Sequence, residues 1–260
     1  MTQETILTVQ SERVLTITLN RPDVHNAFSD QLIAELIQCF QTRVVAQDVH
    51  VVILTGAGKS FCAGADLNWM KQMIHYSKEQ NIEDSHKILR LYETIASCAK
   101  PVIGKINGPA FGGGVGLVAV CDLVICPPEA KFGFTEVKLG LIPAVISSFV
   151  AQRLSPAAMR RFFMTGERFD AATAHAIGLV DAVAPADTID TLIQNWVTQL
   201  SSSGPQAISE VKSLIAIMQC MDPEKYREYT VEKIASLRTS PEGQEGMSAF
   251  LEKRKPAWSD

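Results

Sequence analysis

The sequence lacks the features that assign a chain to a membrane or to nucleic acid. No apolar run reaches the length of a membrane span, and the formal net charge of −4 gives no general excess of basic residues. The first four residues contain neither the basic start nor the apolar core of a signal peptide. We therefore expect a soluble cytoplasmic protein that binds neither a membrane nor nucleic acid.

A cysteine framework is also absent. The six cysteines are scattered inside apolar stretches, and none belongs to a set of cysteines and histidines at metal-ligand spacing. This pattern predicts free thiols in a reducing compartment, and no bound metal. The six are Cys39, Cys62, Cys98, Cys121, Cys126 and Cys220.

The chain does contain enough apolar residues for a sizeable core. Its 260 residues are 47% hydrophobic and 20% charged, which is ordinary for a soluble globular protein. Strand-like and helix-like segments alternate up to about residue 186, and this alternation predicts an α/β architecture. The remainder has the pattern of four consecutive helices. We therefore predict a core of residues 1–186 and a helical region of residues 187–260.

Two glycine-rich turns stand about fifty residues apart in the predicted core. The first covers residues 60–66 and the second residues 107–116. Each follows a short apolar run typical of a buried strand, at residues 51–55 and 101–106, and each leads into a helical pattern. Backbone N–H groups at such a helix start have no partner within the helix. Two of these turns can therefore direct two N–H groups at one oxygen atom that gains negative charge during a reaction.

Other interpretations of the glycines are tight chain reversal and phosphate binding. A phosphate-binding P-loop ending at Lys59 would need glycine at position 53, which is Ile53. A dinucleotide fingerprint that starts at Gly112 would need glycine at position 117, which is Leu117. Neither phosphate motif is present, so an oxyanion site and plain chain reversal remain as alternatives.

Three carboxylates of the predicted core are candidates for acid–base chemistry or for structural roles. Glu136 has mostly apolar neighbours in sequence, and a carboxylate in a dry pocket has a raised pKa and can exchange protons near neutral pH. The alternative is a solvated glutamate paired with Lys138. Asp66 and Asp122 stand at a turn or a strand edge, where helix capping or backbone hydrogen bonding is the favoured role.

Taken together, segments spread over nearly the whole chain resemble the crotonase superfamily, which contains enoyl-CoA hydratases and isomerases. No single segment is specific, but the set in this order is. The matching segments are residues 19–22 with 26–27, 61–67, 101–103 with 107–108, 112–122, 132–140, 165–166 with 176–180, and 245–254.

The resemblance implies a fold and an assembly. The fold is an α/β spiral of repeated ββα units followed by a C-terminal helical region that forms trimers, often paired into hexamers. It assigns residues 1–186 to the spiral with the acyl-CoA site and residues 187–260 to trimerisation. The implied partner is an acyl-CoA thioester, so coenzyme A is part of the substrate and no separate cofactor is expected.

The resemblance also implies roles for individual residues. The backbone N–H groups of Ala65 and Gly113 would hold the thioester oxygen, and Glu136 would be the general acid–base catalyst. A late lysine, matching Lys253, would meet the CoA phosphates. The residues implied to contact the substrate or its CoA are Asn26, Ala27, Ala63, Ala65, Asp66, Leu67, Asn68, Gly113, Gly116 and Lys253.

Two departures from the family pattern bear on the reaction. Typical hydratases place a first glutamate where this chain has Gly116, and a glycine-rich loop where this chain has residues 144–147. Residues 64–71 with 114–117 are similar to bacterial methylglutaconyl-CoA hydratases of leucine breakdown, whose acidic acyl chain could bring its own carboxylate. We therefore expect hydration of a short or branched 2-enoyl-CoA. The alternatives are a Δ3-Δ2-enoyl-CoA isomerase that uses one glutamate and a non-catalytic acyl-CoA-binding subunit.

Overall fold

Nine strands and eleven α-helices alternate along residues 4–218 and 220–259, which are the part of the chain that the computed structural model describes. The strands are β1 (Ile6–Ser11), β2 (Val14–Leu19), β3 (Val51–Gly56), β4 (Val102–Lys105), β5 (Ala110–Phe111), β6 (Leu123–Cys126), β7 (Lys131–Gly133), β8 (Arg168–Asp170) and β9 (Ala182–Val183). The helices are α1 (Asp30–Thr42), α2 (Leu67–Met73), α3 (Lys78–Ala96), α4 (Gly113–Ala119), α5 (Ala144–Val150), α6 (Pro156–Thr165), α7 (Ala171–Ala176), α8 (Ile189–Ser201), α9 (Pro205–Met218), α10 (Pro223–Thr239) and α11 (Pro241–Leu251). The signal-peptide expectation rests on residues 1–4, and residues 1–3 lie outside the described part.

A six-stranded sheet in the order β1-β2-β3-β4-β6-β9 forms the framework. Strands β1 and β2 make an antiparallel hairpin, and every later neighbour in this sheet pairs in parallel. Parallel strands end at the same edge of a sheet, so the segments that follow β3 and β4 emerge side by side. These segments contain the two glycine-rich turns. A second sheet of three strands, in the order β5-β7-β8, starts from the second turn.

Apolar residues at helical spacing cover one face of the large sheet. Helix α1 begins after Ser29, whose hydroxyl accepts a hydrogen bond from the N–H of Leu32, and it buries Leu32, Leu36 and Phe40 as its periodicity predicts. Ser77 caps α3 through a capping box with Gln80, which begins a new helix shortly after α2 ends. The result is one large core shared by the sheet, α1, α3 and α4.

The predicted four C-terminal helices are present as α8 to α11. Helix α8 packs Ile189, Ile193 and Val197 against Val51 and neighbouring side chains on the other face of the sheet. The helical region therefore begins in direct contact with the core. The division after residue 186 and the trimerisation role of residues 187–260 stay predictions.

Three further observations concern the described part of the chain. No helix within residues 4–218 and 220–259 is long and apolar enough to cross a membrane. The same residues contain no group of three or more His, Cys, Asp or Glu side chains that could hold a metal ion. All six cysteines are free, as predicted, and four of them are buried.

Candidate active site

The first glycine-rich turn leaves the N–H group of Ala65 without an acceptor. Phe28 donates its N–H to the Gly64 carbonyl over 2.7 Å and accepts from the N–H of Asp66 over 3.1 Å. This short parallel bridge uses the peptide groups on both sides of Ala65, so the N–H of Ala65 itself points away from Phe28. Within the described residues this N–H has no protein acceptor.

The second turn presents the N–H group of Gly113 beside the first. Gly112 has a φ of +50°, which favours glycine, and its N–H donates to the Gly133 carbonyl over 2.9 Å. Gly113 is the first residue of α4, so its N–H has no acceptor within the helix, and no other acceptor is found in the described part of the chain. A Cβ on Gly64 would lie 3.7 Å from the Gly113 nitrogen. The two free N–H groups therefore belong to neighbouring residues in space.

An asparagine side chain holds the two turns together. Asn107 is the first residue of the second turn, and its side-chain oxygen accepts from the N–H of Gly56 over 3.1 Å. Its amide nitrogen donates to the carbonyl oxygens of Gly58 at 3.0 Å and Ser60 at 3.3 Å. One side chain after β4 thereby fixes the loop after β3.

Asn26 has a similar structural task. Its amide nitrogen donates to the carbonyl oxygens of Ala57 and Ser60 at 2.9 and 2.8 Å, and its oxygen accepts from the N–H of Arg21 at 2.8 Å. The side chain is fully buried. The predicted CoA contact at Asn26 would therefore have to use its backbone, because its side-chain amide is committed to the fold.

Glu136 lies against the start of α4. Its Oε1 is 3.5 Å from the point where a Cβ on Gly112 would stand, so the carboxylate lies at van der Waals distance from the residue that precedes α4. Its Oε2 is buried and has no hydrogen-bond partner in the described structure. Burial raises the pKa of this carboxyl group above its ordinary value of 4.5. The alternative pairing with Lys138 is not among the ion pairs of the described residues, which favours the acid–base interpretation.

The space beside Gly116 is filled. A Cβ on Gly116 would lie 2.5 Å from Cγ2 of Ile146 and 2.7 Å from both Cζ and Oη of Tyr92. Gly116 is buried on α4, so any substrate contact there would be made by its backbone. A glutamate at this position could not be accommodated unless both neighbours moved.

The other residues implied to contact substrate surround the first turn. Asp66 caps α2 by accepting from the N–H of Asn68 at 2.7 Å, and it pairs with Arg21 at 2.7 Å. Burial opposes its ionisation, but the bonds from Arg21 and the backbone prevail and lower the pKa of Asp66. Leu67 and Asn68 are exposed beside it. The capping role of Asp66 is thus confirmed.

The remaining implied contacts are Ala27 and Ala63, which lie beside or within the first turn, and Lys253 after α11. Ala27 is buried, and Ala63 is half-buried and donates its N–H to the His25 carbonyl over 3.0 Å. Lys253 follows α11, is exposed, and forms no ion pair with any described residue. The structure brings Ala65, Gly113 and Glu136 together, whereas no contact in the described chain links Lys253 to them.

Sequence analysis missed two residues of this site. Asn107 belongs to the second glycine-rich turn, and asparagine before a glycine is a typical turn-fixing residue, but the sequence motif gives it no specific role. Tyr92 has no such local signal. Its hydroxyl donates to the Gly113 carbonyl over 2.7 Å, and this contact joins residues of α3 and α4 that no local pattern connects.

Comparison with known proteins identifies the family. The profile of the enoyl-CoA hydratase/isomerase family matches residues 9–260. A putative enoyl-CoA hydratase of Thermus thermophilus is 31% identical over 248 residues, which are 95% of this chain and 98% of the relative. The crystal structure of an enoyl-CoA hydratase from Shewanella pealeana is 37% identical, with a TM-score of 0.94 over 98% of this chain and 96% of that one.

A second solved structure agrees. A putative enoyl-CoA hydratase/isomerase (crotonase) of Legionella pneumophila is 39% identical, with a TM-score of 0.89 over 98% of this chain and 99% of that one. These matches confirm the crotonase fold that the sequence motifs implied. The chain belongs to the enoyl-CoA hydratase/isomerase family.

Proposed function

We propose that the chain hydrates a short or branched 2-enoyl-CoA. The N–H groups of Ala65 and Gly113 bind the thioester oxygen, and Glu136 transfers the protons. The observation that carries this proposal is the combination of two neighbouring N–H groups without acceptors and a carboxylate whose buried Oε2 has no partner. Donors that are already in place stabilise an enolate oxygen without reorganisation in the transition state.

One carboxylate is enough for the proton balance of this reaction. Glu136 takes a proton from water while the water oxygen bonds to the β-carbon and the double-bond electrons move to the thioester oxygen. The enolate then takes that proton from Glu136 at the α-carbon, which restores the carboxylate. A raised pKa suits both steps because the group must accept and release a proton near neutral pH.

A Δ3-Δ2 isomerisation is the second candidate, and the filled space beside Gly116 favours it. In that reaction Glu136 removes a proton from the α-carbon of a 3-enoyl-CoA and returns it to the γ-carbon. No water takes part and no second carboxylate is needed. Tyr92 and Ile146 leave no room for such a carboxylate at position 116.

We further propose that the substrate carries a 3-methylglutaconyl-CoA-like acyl chain, in which a terminal carboxylate lies near the reacting carbons. Its support is the likeness of residues 64–71 and 114–117 to hydratases of that substrate, together with the missing carboxylate at Gly116. Helix α5 starts directly after Pro143, where the family pattern has a glycine-rich loop, and we propose that it narrows the acyl side of the site. We propose Lys253 as a contact for the CoA phosphates on the basis of its position in the C-terminal motif.

Assembly and location belong to the same proposal. We propose a homotrimer or a dimer of trimers, in the cytoplasm, with coenzyme A entering only as part of the substrate. The exposed apolar side chains of the C-terminal helices, such as Val231, Ile234 and Phe250, support self-association. Sedimentation equilibrium of the purified chain measures the number of subunits.

The deciding experiment is product analysis in deuterium oxide. Purified protein is incubated with crotonyl-CoA, 3-methylglutaconyl-CoA and a 3-enoyl-CoA of equal length. A hydratase gives a 3-hydroxyacyl-CoA that carries deuterium at the α-carbon, with the highest kcat/KM for the branched acidic chain. An isomerase gives a 2-enoyl-CoA from the 3-enoyl substrate and no hydroxy product. Tight binding of all three without turnover contradicts both reactions and supports an acyl-CoA-binding subunit.

A further inference from the structure

Helix α4 is poorly suited to hold its own first turn. Three of its seven residues are glycines, namely Gly113, Gly114 and Gly116, and glycine is the weakest helix former after proline. Gly112 stands at the N-cap and has no side chain that could accept from the first N–H groups. The segment that presents the Gly113 N–H therefore needs support from outside the helix.

Tyr92 supplies a hydrogen bond at that point. Its hydroxyl donates to the Gly113 carbonyl over 2.7 Å. A Cβ on Gly113 would lie 3.1 Å from the hydroxyl oxygen of Tyr92. The ring is fully buried on α3, at an edge-to-face angle of 75° to Phe28 and tilted 56° against Phe149. Rings packed on two sides cannot swing away, so the hydroxyl is held in a fixed place.

We propose that Tyr92 is a positioning residue of the oxyanion site, whose hydroxyl anchors the first turn of α4 through the Gly113 carbonyl and thereby keeps the Gly113 N–H directed at the enolate oxygen. The inference rests on the proposed function, because it assigns Tyr92 a part in the same enolate chemistry. Glycine has the most freely rotating backbone of all residues, so a helix start rich in glycine is easily displaced. The carbonyl and the N–H of Gly113 belong to successive peptide groups joined at one Cα, so the bond from Tyr92 restrains the first turn of α4 and, through that turn, the direction of the N–H.

The hydroxyl acts as an anchor and not as a second acid. Burial raises the pKa of Tyr92 well above its ordinary value of 10.0, and the nearby Cys62 and Glu136 act in the same direction. The hydroxyl proton is also committed to the Gly113 carbonyl. Tyr92 therefore stays neutral across the working pH range, and Glu136 remains the proton-transferring group.

Tyr92→Phe removes the anchor and keeps the ring. We expect kcat to fall about tenfold with little change in KM, since the loss of one buried hydrogen bond weakens transition-state stabilisation more than substrate binding. The acid limb of the pH profile should stay where it is because Glu136 is untouched. Phe149→Leu is the matched control, because it loosens the same ring cluster and keeps the hydroxyl. Its melting temperature should fall, whereas its kcat should fall less than that of Tyr92→Phe.

Acetoacetyl-CoA provides a readout that does not depend on turnover, because its bound enolate absorbs in the near ultraviolet. The wild type and Phe149→Leu should show this absorption, and Tyr92→Phe should show it weakened. If the wild type gives the absorption but hydrates and isomerises no enoyl-CoA, the proposed function fails while the role of Tyr92 is still tested by the variants. Tyr92→Phe with wild-type kcat and wild-type enolate absorption, or with losses no larger than those of Phe149→Leu, overturns the inference.

Discussion

Replacing Glu136 with glutamine removes the carboxylate beside the two free N–H groups and nearly conserves the shape of the side chain. Acid–base catalysis by a positioned group contributes about 10²- to 10⁴-fold to a rate. Because Tyr92 and Ile146 exclude a carboxylate at position 116, no second group there can share the proton transfer. We therefore expect kcat to fall by about 10³-fold, within that range, while KM changes little.

The same substitution should leave stability unchanged or raise it. The pKa of Glu136 is raised above 4.5 by burial, so the folded chain binds this proton more tightly than the unfolded chain. Such a group stabilises the fold below its unfolded pKa, and this contribution is lost as the pH rises through the folded pKa. Glutamine does not titrate. The stability of Glu136→Gln relative to the wild type should therefore increase as the pH rises from about 4.5.

Steady-state kinetics and urea unfolding between pH 4.5 and 8 test both parts of this prediction. Glu129→Gln is the control, because Glu129 is exposed, precedes β7 and makes no ion pair with a described residue. It should match the wild type in kcat. The reasoning is refuted if Glu136→Gln retains wild-type turnover on every substrate, or if it loses stability at neutral pH while the control does not.

Substitutions at three other positions test the frame around the site. Gly64→Ala should abolish turnover and lower the melting temperature, because φ is +90° and the new Cβ would lie 2.9 Å from the Phe111 carbonyl oxygen. Asp66→Ala should cost about 1–2 kcal/mol in urea unfolding by removing a helix cap, whereas Asp66→Asn should cost less, since asparagine caps as well. Gly116→Ala should lower both kcat and stability by overpacking, and a fully active, stable variant would contradict the contacts described there.

Local chemistry explains why much of this site could be predicted from sequence. Glycines 64 and 112 occupy positions with positive φ, and each turn follows a buried strand, so the pattern of residues indicates the free N–H groups. The raised pKa of Glu136 follows from its apolar neighbours. The role of Asn26 was harder to predict, because the carbonyl groups that its amide binds lie more than thirty residues away.

Tyr92 could not be predicted for a related reason. Its position on α3 indicates burial, but which residue of α4 it touches depends on how two helices pack. The same holds for Ile146 of α5, which meets Gly116 only in the folded chain. A family motif identifies position 116 from its neighbours in sequence. The space that a longer side chain would occupy there is filled by Tyr92 and Ile146, which are 24 and 30 positions away. No local sequence pattern indicates that these residues meet Gly116.

The contact among Tyr92, Gly116 and Ile146 also limits the paths by which this site can change. Adding a carboxylate at 116 alone produces a clash, since its Cβ would already lie within 2.7 Å of two side chains. Shortening Tyr92 first leaves a void, and it also removes the bond to Gly113. A mutational route between one-carboxylate and two-carboxylate chemistry must therefore pass through an intermediate with a clash or a void, or substitute residues of α3, α4 and α5 together. The order of mutations, and not only their sum, would decide which reactions descendants of this chain can acquire.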